Sequence, residues 1–246
     1  MSHRARTTTN IAGLAAQFSH VDIVVEDDEI GVLATGSVAL YSLAEPERAI
    51  DAAALLRESV IADPPYWALV WTGARAIAAV LLHGPSLKHR RVLDLGCGLG
   101  LSGLVAAECG ADVVFGDYLE EPLEFVRASL ARRGSDQLSR DPHAGTAHQV
   151  RRIDFTRDRL GERFDMILAA DIVYDPAHYR PLAEFLDLHL EPGGSILLTE
   201  SLRADARVFL DGLCALGFKD ALRCLWVVED GRRERTWLHN LQRLSP

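Results

Sequence analysis

The sequence contains no apolar run near the ~20 residues that a bilayer-spanning helix needs, and its opening "MSHRARTTTN" is polar with no signal-peptide core behind it. A cytoplasmic protein without a membrane partner is the expectation. Cysteine is scarce: Cys97, Cys109, Cys214 and Cys224 lie far apart and form no CxxC pair, which argues against a disulfide framework and a zinc site. The nine histidines form no HxH or HExxH spacing, so no metal is expected. Positive charge is also in deficit. With 26 basic residues against 35 acidic ones the formal charge is −9, and the phosphate-neutralising surface of a non-specific nucleic-acid binder is missing. The one Arg-rich spot, "GRRERT" at 231–236, is short, interrupted by Glu234, and reads as a solvated turn. There is no internal repeat and no low-complexity tract.

What is present is a chain of 246 residues, 48 % hydrophobic, enough for one buried core with an accessory segment. Alternating apolar and polar residues between Val21 and Val38, around "EDDEIG", predict a hairpin turning near Asp27 and Asp28. "PERAIDAAALLRESVIA" reads as a helix starting near Pro46, and a Pro-Pro segment leads into a second helix that ends around Gly84. From there the pattern becomes strand, turn, helix, repeated. "RRVLDL", "ADVVFGD", "VRRIDF", "FDMILAAD" and "GSILLTE" are the strands. The helices between them include "GLSGLVAAECG", closed by Gly110, "EEPLEFVRASLARRG" and "PAHYRPLAEFLDLHL", while "SDQLSRDPHAGTAHQ" reads as a surface loop. Such alternation specifies parallel βαβ units with ligands at the strands' carboxyl ends. After the helix "RADARVFLDGLCALG" the pattern breaks: "ALRCLWVVED" and "RERTWLHNLQRL" are joined by "DGRR" and should pair antiparallel.

The stretch "RVLDLGCGLGLSGLVAAECGADVVFGD", residues 91–117, fits two nucleotide motifs. Gly98, Gly100 and Gly103 match the dinucleotide spacing GxGxxG, with Asp117 where that fingerprint places its ribose acid. Gly96, Gly98 and Gly100 equally match GxGxG, with Asp94 two positions ahead. The ligands differ in charge. A pyrophosphate is anionic, and a carboxylate at the strand end beside it is unfavourable. A cationic ligand without phosphate suits Asp94 and Asp117, and Asp117 can accept from both ribose hydroxyls in either case.

"LDLGCGLG" resembles motif I of the seven-strand (class I) S-adenosylmethionine-dependent methyltransferases, and "LEPGGSILLTE" and the antiparallel ending are similar to later features of that group. "PPYWALVWTGARAIAAVLL" together with "AADIVYD" at 169–175 resembles its lysine-methyltransferase branch, methyltransferase family 16, on the pattern of the electron-transfer-flavoprotein β-subunit lysine methyltransferases and of proteins labelled predicted nicotinamide N-methylases. The resemblance runs from about Pro64 to Glu200. It implies a Rossmann-like three-layer α/β sandwich with a seven-stranded, mostly parallel sheet and an antiparallel C-terminal strand. An N-terminal hairpin and helix extension (1–62) would precede a methyltransferase domain (63–246).

The resemblance also assigns residues. S-adenosyl-L-methionine would be held by Trp71, Asp94, Gly96, Cys97, Gly98, Gly100, Asp117, Tyr118, Asp154, Phe155 and Ala170, and the Asp-x-x-Tyr signature, Asp171 and Tyr174, would face the methyl acceptor as the catalytic pair. Departures are Thr72 after Trp71 where the group often has proline, "IDF" where it has a tryptophan near the adenine, and "ASLARR" in place of a common asparagine. Each assignment has a plainer counterpart: Trp67 as core packing, Asp171 as the cap of the following helix with Asp175 as a rival cap, and Tyr174 packed under the sheet edge. The implied activity is N-methylation of a protein lysine. A small-molecule amine or N-heterocycle acceptor, and a non-catalytic cofactor-binding module, stay open beside it, because fold does not decide substrate.

Overall fold

The computed structural model describes residues 8–46, 65–138, 148–200 and 206–243, with no side-chain detail for 135–138. The helix expected over 46–62 and the boundary at 62/63 fall outside the described residues.

Five parallel strands form the centre: β4 (Arg91–Leu95), β5 (Asp112–Asp117), β6 (Gln149–Arg152), β7 (Phe164–Ala170) and β8 (Leu190–Glu200), in the order β6-β5-β4-β7-β8. Both faces are covered along β4, β5, β7 and the second half of β8, which read as apolar runs, while the edge strand β6 keeps Gln149, Arg151 and Arg152. Val92, Phe115, Leu168 and Leu197 face one core; Leu93, Val114, Ile167 and Leu198 face the other. The first core is roofed by α1 (Thr72–His83), α2 (Leu101–Glu108) and α3 (Glu120–Leu138), and the second by α4 (Tyr179–His189) and α5 (Arg207–Ala215). Between α2 and β5 the chain turns at Gly110 as expected: with φ +98°, it lets the Ala111 N–H reach Ala106 O and its own N–H reach Ala107 O. Helix α3 runs four residues further than expected, to Leu138, into the stretch read as loop.

The C-terminal pair is antiparallel, β9 (Phe218–Glu229) with β10 (Arg232–Arg243), and β10 inserts between β8 and β9. That completes the seven expected strands. Among the described residues the sheet nevertheless has ten. β2 (Leu14–Asp27) pairs antiparallel with β9 through Val25, Glu26 and Asp27, and carries β3 (Gly31–Leu43) and the short β1 (Thr8–Ile11) with it. A sheet that ended at β9 would expose a row of unpaired backbone groups, and the N-terminal hairpin covers part of that edge. The hairpin turns where expected, with Asp27 Oδ1 accepting from the amides of Glu29 and Ile30. It then curls over the helices, fastened by the Tyr41 N–H to Ser129 Oγ at 2.9 Å. No described helix is long and apolar enough to cross a membrane.

Candidate functional site

The carboxyl ends of β4, β5 and β7 meet the segment before α1 around a solvent-open cavity. One side is the turn from β4 to α2. Gly98 adopts φ +51°, and a Cβ there would come within 3.4 Å of the Trp67 carbonyl oxygen. The turn is pinned from β5: Asp117 Oδ2 accepts the Gly98 N–H at 3.1 Å while Oδ1 accepts the Leu119 N–H at 3.1 Å. Burial raises the Asp117 carboxyl pKa, and these amides only partly offset that. Cys97 has its thiol pushed well up by burial, with Asp117 and Asp94 adding to the shift, and it stays protonated.

Asp94 has a different place. It does not line the cavity; its Oδ2 accepts the Gly103 N–H at 2.9 Å beneath α2, and only 2 % of the residue is exposed. Burial pushes its pKa up to about 7, with the Asp117 charge a further cause. The physical reason is the pleat: Asp94 shares its face with Val92, toward the helix, whereas the cavity lies beyond the strand end. Gly103 makes this approach possible, since a Cβ there would sit 2.7 Å from Asp94 Oδ2 and 2.3 Å from the Phe115 ring.

Trp71, Gly96, Gly98, Gly100, Tyr118, Phe155 and Ala170 line the cavity together with Cys97 and Asp117. Asp154 lines an adjoining cleft that shares Tyr66, Tyr118, Phe155 and Tyr174 with it. Asp154 Oδ1 accepts from both the amide and the hydroxyl of Thr156; burial pushes its pKa up, but these bonds and Arg157 and Arg152 bring it below the usual value.

Asp171 and Tyr174 both reach the cavity. Asp171 is held at φ +54°, a left-handed conformation uncommon outside glycine, and its Oδ2 accepts the Gly73 N–H at 2.9 Å. It therefore caps α1, a helix about 100 positions earlier, rather than the helical turn that follows it. Asp175 caps that turn: its Oδ1 accepts the Ala177 N–H at 2.9 Å, with Pro176 in the first position. Tyr174 is not packed under the sheet edge but 42 % exposed.

Sequence reasoning passed over Tyr66. Its carbonyl accepts the Trp71 indole N–H at 2.7 Å, and its ring lies 5.8 Å from Trp71 and 5.5 Å from Tyr174. The aromatic spacing in "YWALVW" was the available signal. Trp67 does pack as core, against Phe125 at 5.5 Å, while its backbone closes over Gly98.

Among the described residues lining the cavity there is no Lys, Arg or His, while two carboxylates are present. Such a surface disfavours a pyrophosphate and suits a ligand that is cationic and rich in hydroxyls. A family model described as lysine methyltransferase matches residues 59–213, more than half of the chain. The chain belongs to the lysine methyltransferase family. The cofactor of that family is S-adenosylmethionine, and the donor set here fits it: a glycine turn that leaves room beside Trp67, a buried carboxylate at the β5 end and aromatic rings at the rim. Similar proteins include the electron transfer flavoprotein beta subunit lysine methyltransferase of Danio rerio, 30 % identical over 138 residues, covering 54 % of this chain and 48 % of that protein. Protein N-lysine methyltransferase METTL21A of Danio rerio is 33 % identical over 132 residues, covering 53 % of this chain and 58 % of that protein. The chain thus spans about half the length of these relatives. Among solved structures, the glycopeptide N-methyltransferase MtfA in complex with S-adenosyl-L-methionine shares the fold, with a TM-score of 0.54 and 18 % identity over 70 % of this chain and 94 % of that one.

Proposed function

We propose that this protein transfers a methyl group from S-adenosylmethionine to the side-chain nitrogen of a lysine in a protein substrate, in the cytoplasm, without nucleic-acid or membrane partners. The observation that carries it is the cavity itself, where the glycine turn and Asp117 stand on one side, and Asp171 with the Tyr66, Trp71 and Tyr174 rings on the other, with no basic side chain between them. Residues 63–246 are taken as the methyltransferase domain and 1–62 as its extension.

S-adenosylmethionine, when bound, supplies an electrophilic methyl group. Asp117 would accept from its ribose hydroxyls, Phe155 would stack beside its base, and Asp154, whose Oδ2 also faces Arg157 at 3.7 Å, would accept from the base amino group. The turn from Gly96 to Gly100, with Cys97 between its glycines, would carry the rest, with Tyr118, Ala170 and Trp71 closing around it. Asp94 would act indirectly, by holding α2 against the turn.

Displacement at a sulfonium needs an aligned, neutral nucleophile and little water rather than a covalent intermediate. Lysine, with a reference pKa of ~10.4, arrives mostly charged. Asp171 would receive it through a charge-assisted bond, and the Tyr174 hydroxyl would orient the lone pair once the proton has left to solvent. The exposed position of Tyr174 and the cleft beside it favour a bulky acceptor over a small amine enclosed by a lid.

The test is incubation of the purified protein and isotopically labelled cofactor with a lysate from cells lacking it, followed by mass spectrometry. Label on a lysine of one protein is expected. Label confined to small amines would refute the lysine acceptor, and cofactor binding with no transfer at all would leave a non-catalytic module.

A further inference from the structure

We infer that Arg75 is a positioning residue, which fastens both β-hairpins to the strip carrying Trp71 and so sets one wall of the proposed cofactor and acceptor cavity. Arg75 is an isolated cation on an alanine-rich helix, only 6 % exposed. Three of its nitrogens are directed to three different elements. Nη1 donates to Val70 O at 2.7 Å, Nε donates to Asp22 O at 3.3 Å on β2, and Nη2 is paired with Glu229 at the end of β9. On the other side of Trp71, the Thr72 hydroxyl donates to Glu234 Oε2 of β10 at 2.7 Å. Trp71 is thus bracketed by two ties, one through Val70 and one through Thr72, and both lead to the C-terminal hairpin.

The strip itself is thin. Leu69, Val70 and Trp71 line the cofactor-side cavity and also a second cavity behind it, bounded by Gln17, Val21, Leu43, Glu229 and Glu234. Leu69 and Val70 pack against the core, but among the described residues the strip has space on both sides, and directional bonds are needed to fix where Trp71 stands. A fork of rigid donors can reach three acceptors at once, whereas an ammonium on a flexible stem cannot match that geometry. Burial lowers the Arg75 pKa, but the acids Glu229, Glu234 and Asp230 oppose this and keep it charged. On this basis the N-terminal hairpin belongs to the working site, although none of its residues lines the cofactor-side cavity.

The proposal rests on Trp71 contacting the cofactor, so the experiment checks that first. Binding of S-adenosylhomocysteine to the full chain is measured by calorimetry for Trp71→Ala, Arg75→Lys, Glu229→Gln and the combinations with Trp71→Ala. Amide hydrogen exchange at residues 66–72 and in α1 is followed in parallel. Loss of charge-assisted bonds should weaken binding about ten-fold in Arg75→Lys and speed exchange at 66–72 by a similar factor, with the α1 interior unchanged. In the double variants the losses should fall short of the product of the single losses by about five-fold, a coupling that a purely structural role would not produce. If Arg75→Lys does not fold, the half-exposed Glu229→Gln carries the same comparison. Unchanged affinity in Trp71→Ala would remove the contact and the proposal with it. Weakened binding in Trp71→Ala, with wild-type affinity or multiplicative losses in the tie variants, would overturn the positioning role alone.

Discussion

Replacing Asp171 separates its two geometric roles. The carboxylate accepts the Gly73 N–H at the start of α1 from a backbone held at φ +54°. Asp171→Ala removes the cap, about 1 kcal/mol. It also leaves a residue without a local polar side chain in the left-handed region, a further ~1 kcal/mol. The sum of about 2 kcal/mol corresponds to a melting point lower by ~4–8 °C for a chain of this size. Asp171→Asn keeps an acceptor oxygen and tolerates that conformation, so it should melt within ~1 °C of wild type. What Asn cannot do is hold an ammonium by a charge-assisted bond. Turnover on the true substrate should therefore drop at least ~100-fold, the size expected when an acceptor is slightly misplaced, with S-adenosylhomocysteine affinity nearly intact. Thermal scans, calorimetry and initial rates on the three proteins give the answer. An Asn variant with near-normal turnover would reduce Asp171 to a helix cap. One that melts as low as Ala would undo the reasoning about the cap.

Asp117→Ala should lower S-adenosylhomocysteine affinity by about ten-fold or more, because a charged acceptor for two hydroxyls is lost; unchanged calorimetric affinity in a folded variant would place the ribose elsewhere. Asp94, beneath the turn, has its pKa raised to about 7, so a cationic ligand should expel protons from it on binding, and S-adenosylmethionine affinity should strengthen as pH rises from 6 to 8. Identical binding heats in buffers of different ionisation enthalpy would contradict this. For stability the sign is opposite. The folded Asp94 pKa of about 7 exceeds the ordinary aspartate value of 3.8, so its contribution is complete below about pH 4 and is lost as pH climbs to 7. At ~1.36 kcal/mol per unit the loss approaches ~4 kcal/mol, and Asp94→Asn should gain on wild type across that window in denaturant titrations; a constant difference between the two would show that Asp94 ionises normally.

The local parts of this architecture were readable because their causes are local. Gly96 to Gly100 need conformations that glycine supplies, the alternation around Asp27 marks a turn, and Gly110 and Asp175 close and open helices through neighbours within five residues. Asp117 was legible as the acid at a strand tip. Asp94 looked equivalent, two residues before a glycine, and only the direction of the pleat separates a carboxylate under α2 from one in the cavity. The partnership of β2 with β9 joins residues about 200 positions apart, through backbone bonds and the Asp27–Arg223 pair, and neither partner marks the other in the sequence. Arg75, and the helix that Asp171 caps, were hidden for a related reason. Arg75 reads as an ordinary polar residue until Glu229 is brought to it, and Asp171 as a cap for its own neighbours until Gly73 is.

The insertion of β10 between β8 and β9 imposes a timetable on the growing chain. Residues 232–243 are the bridge between β9 and the parallel strands, and β2 reaches the sheet only through β9. At ~5–20 residues per second, the hairpin of residues 14–43 waits about 10–40 s on the ribosome before its docking edge has been synthesised. The helices that cover the inner face of the hairpin, with Ile23, Val25, Val38 and Leu40, lie within residues 72–138 and emerge well before that edge. The bonds from β2 to β9 are therefore the last contacts of the hairpin to form, after its packed face is already in place.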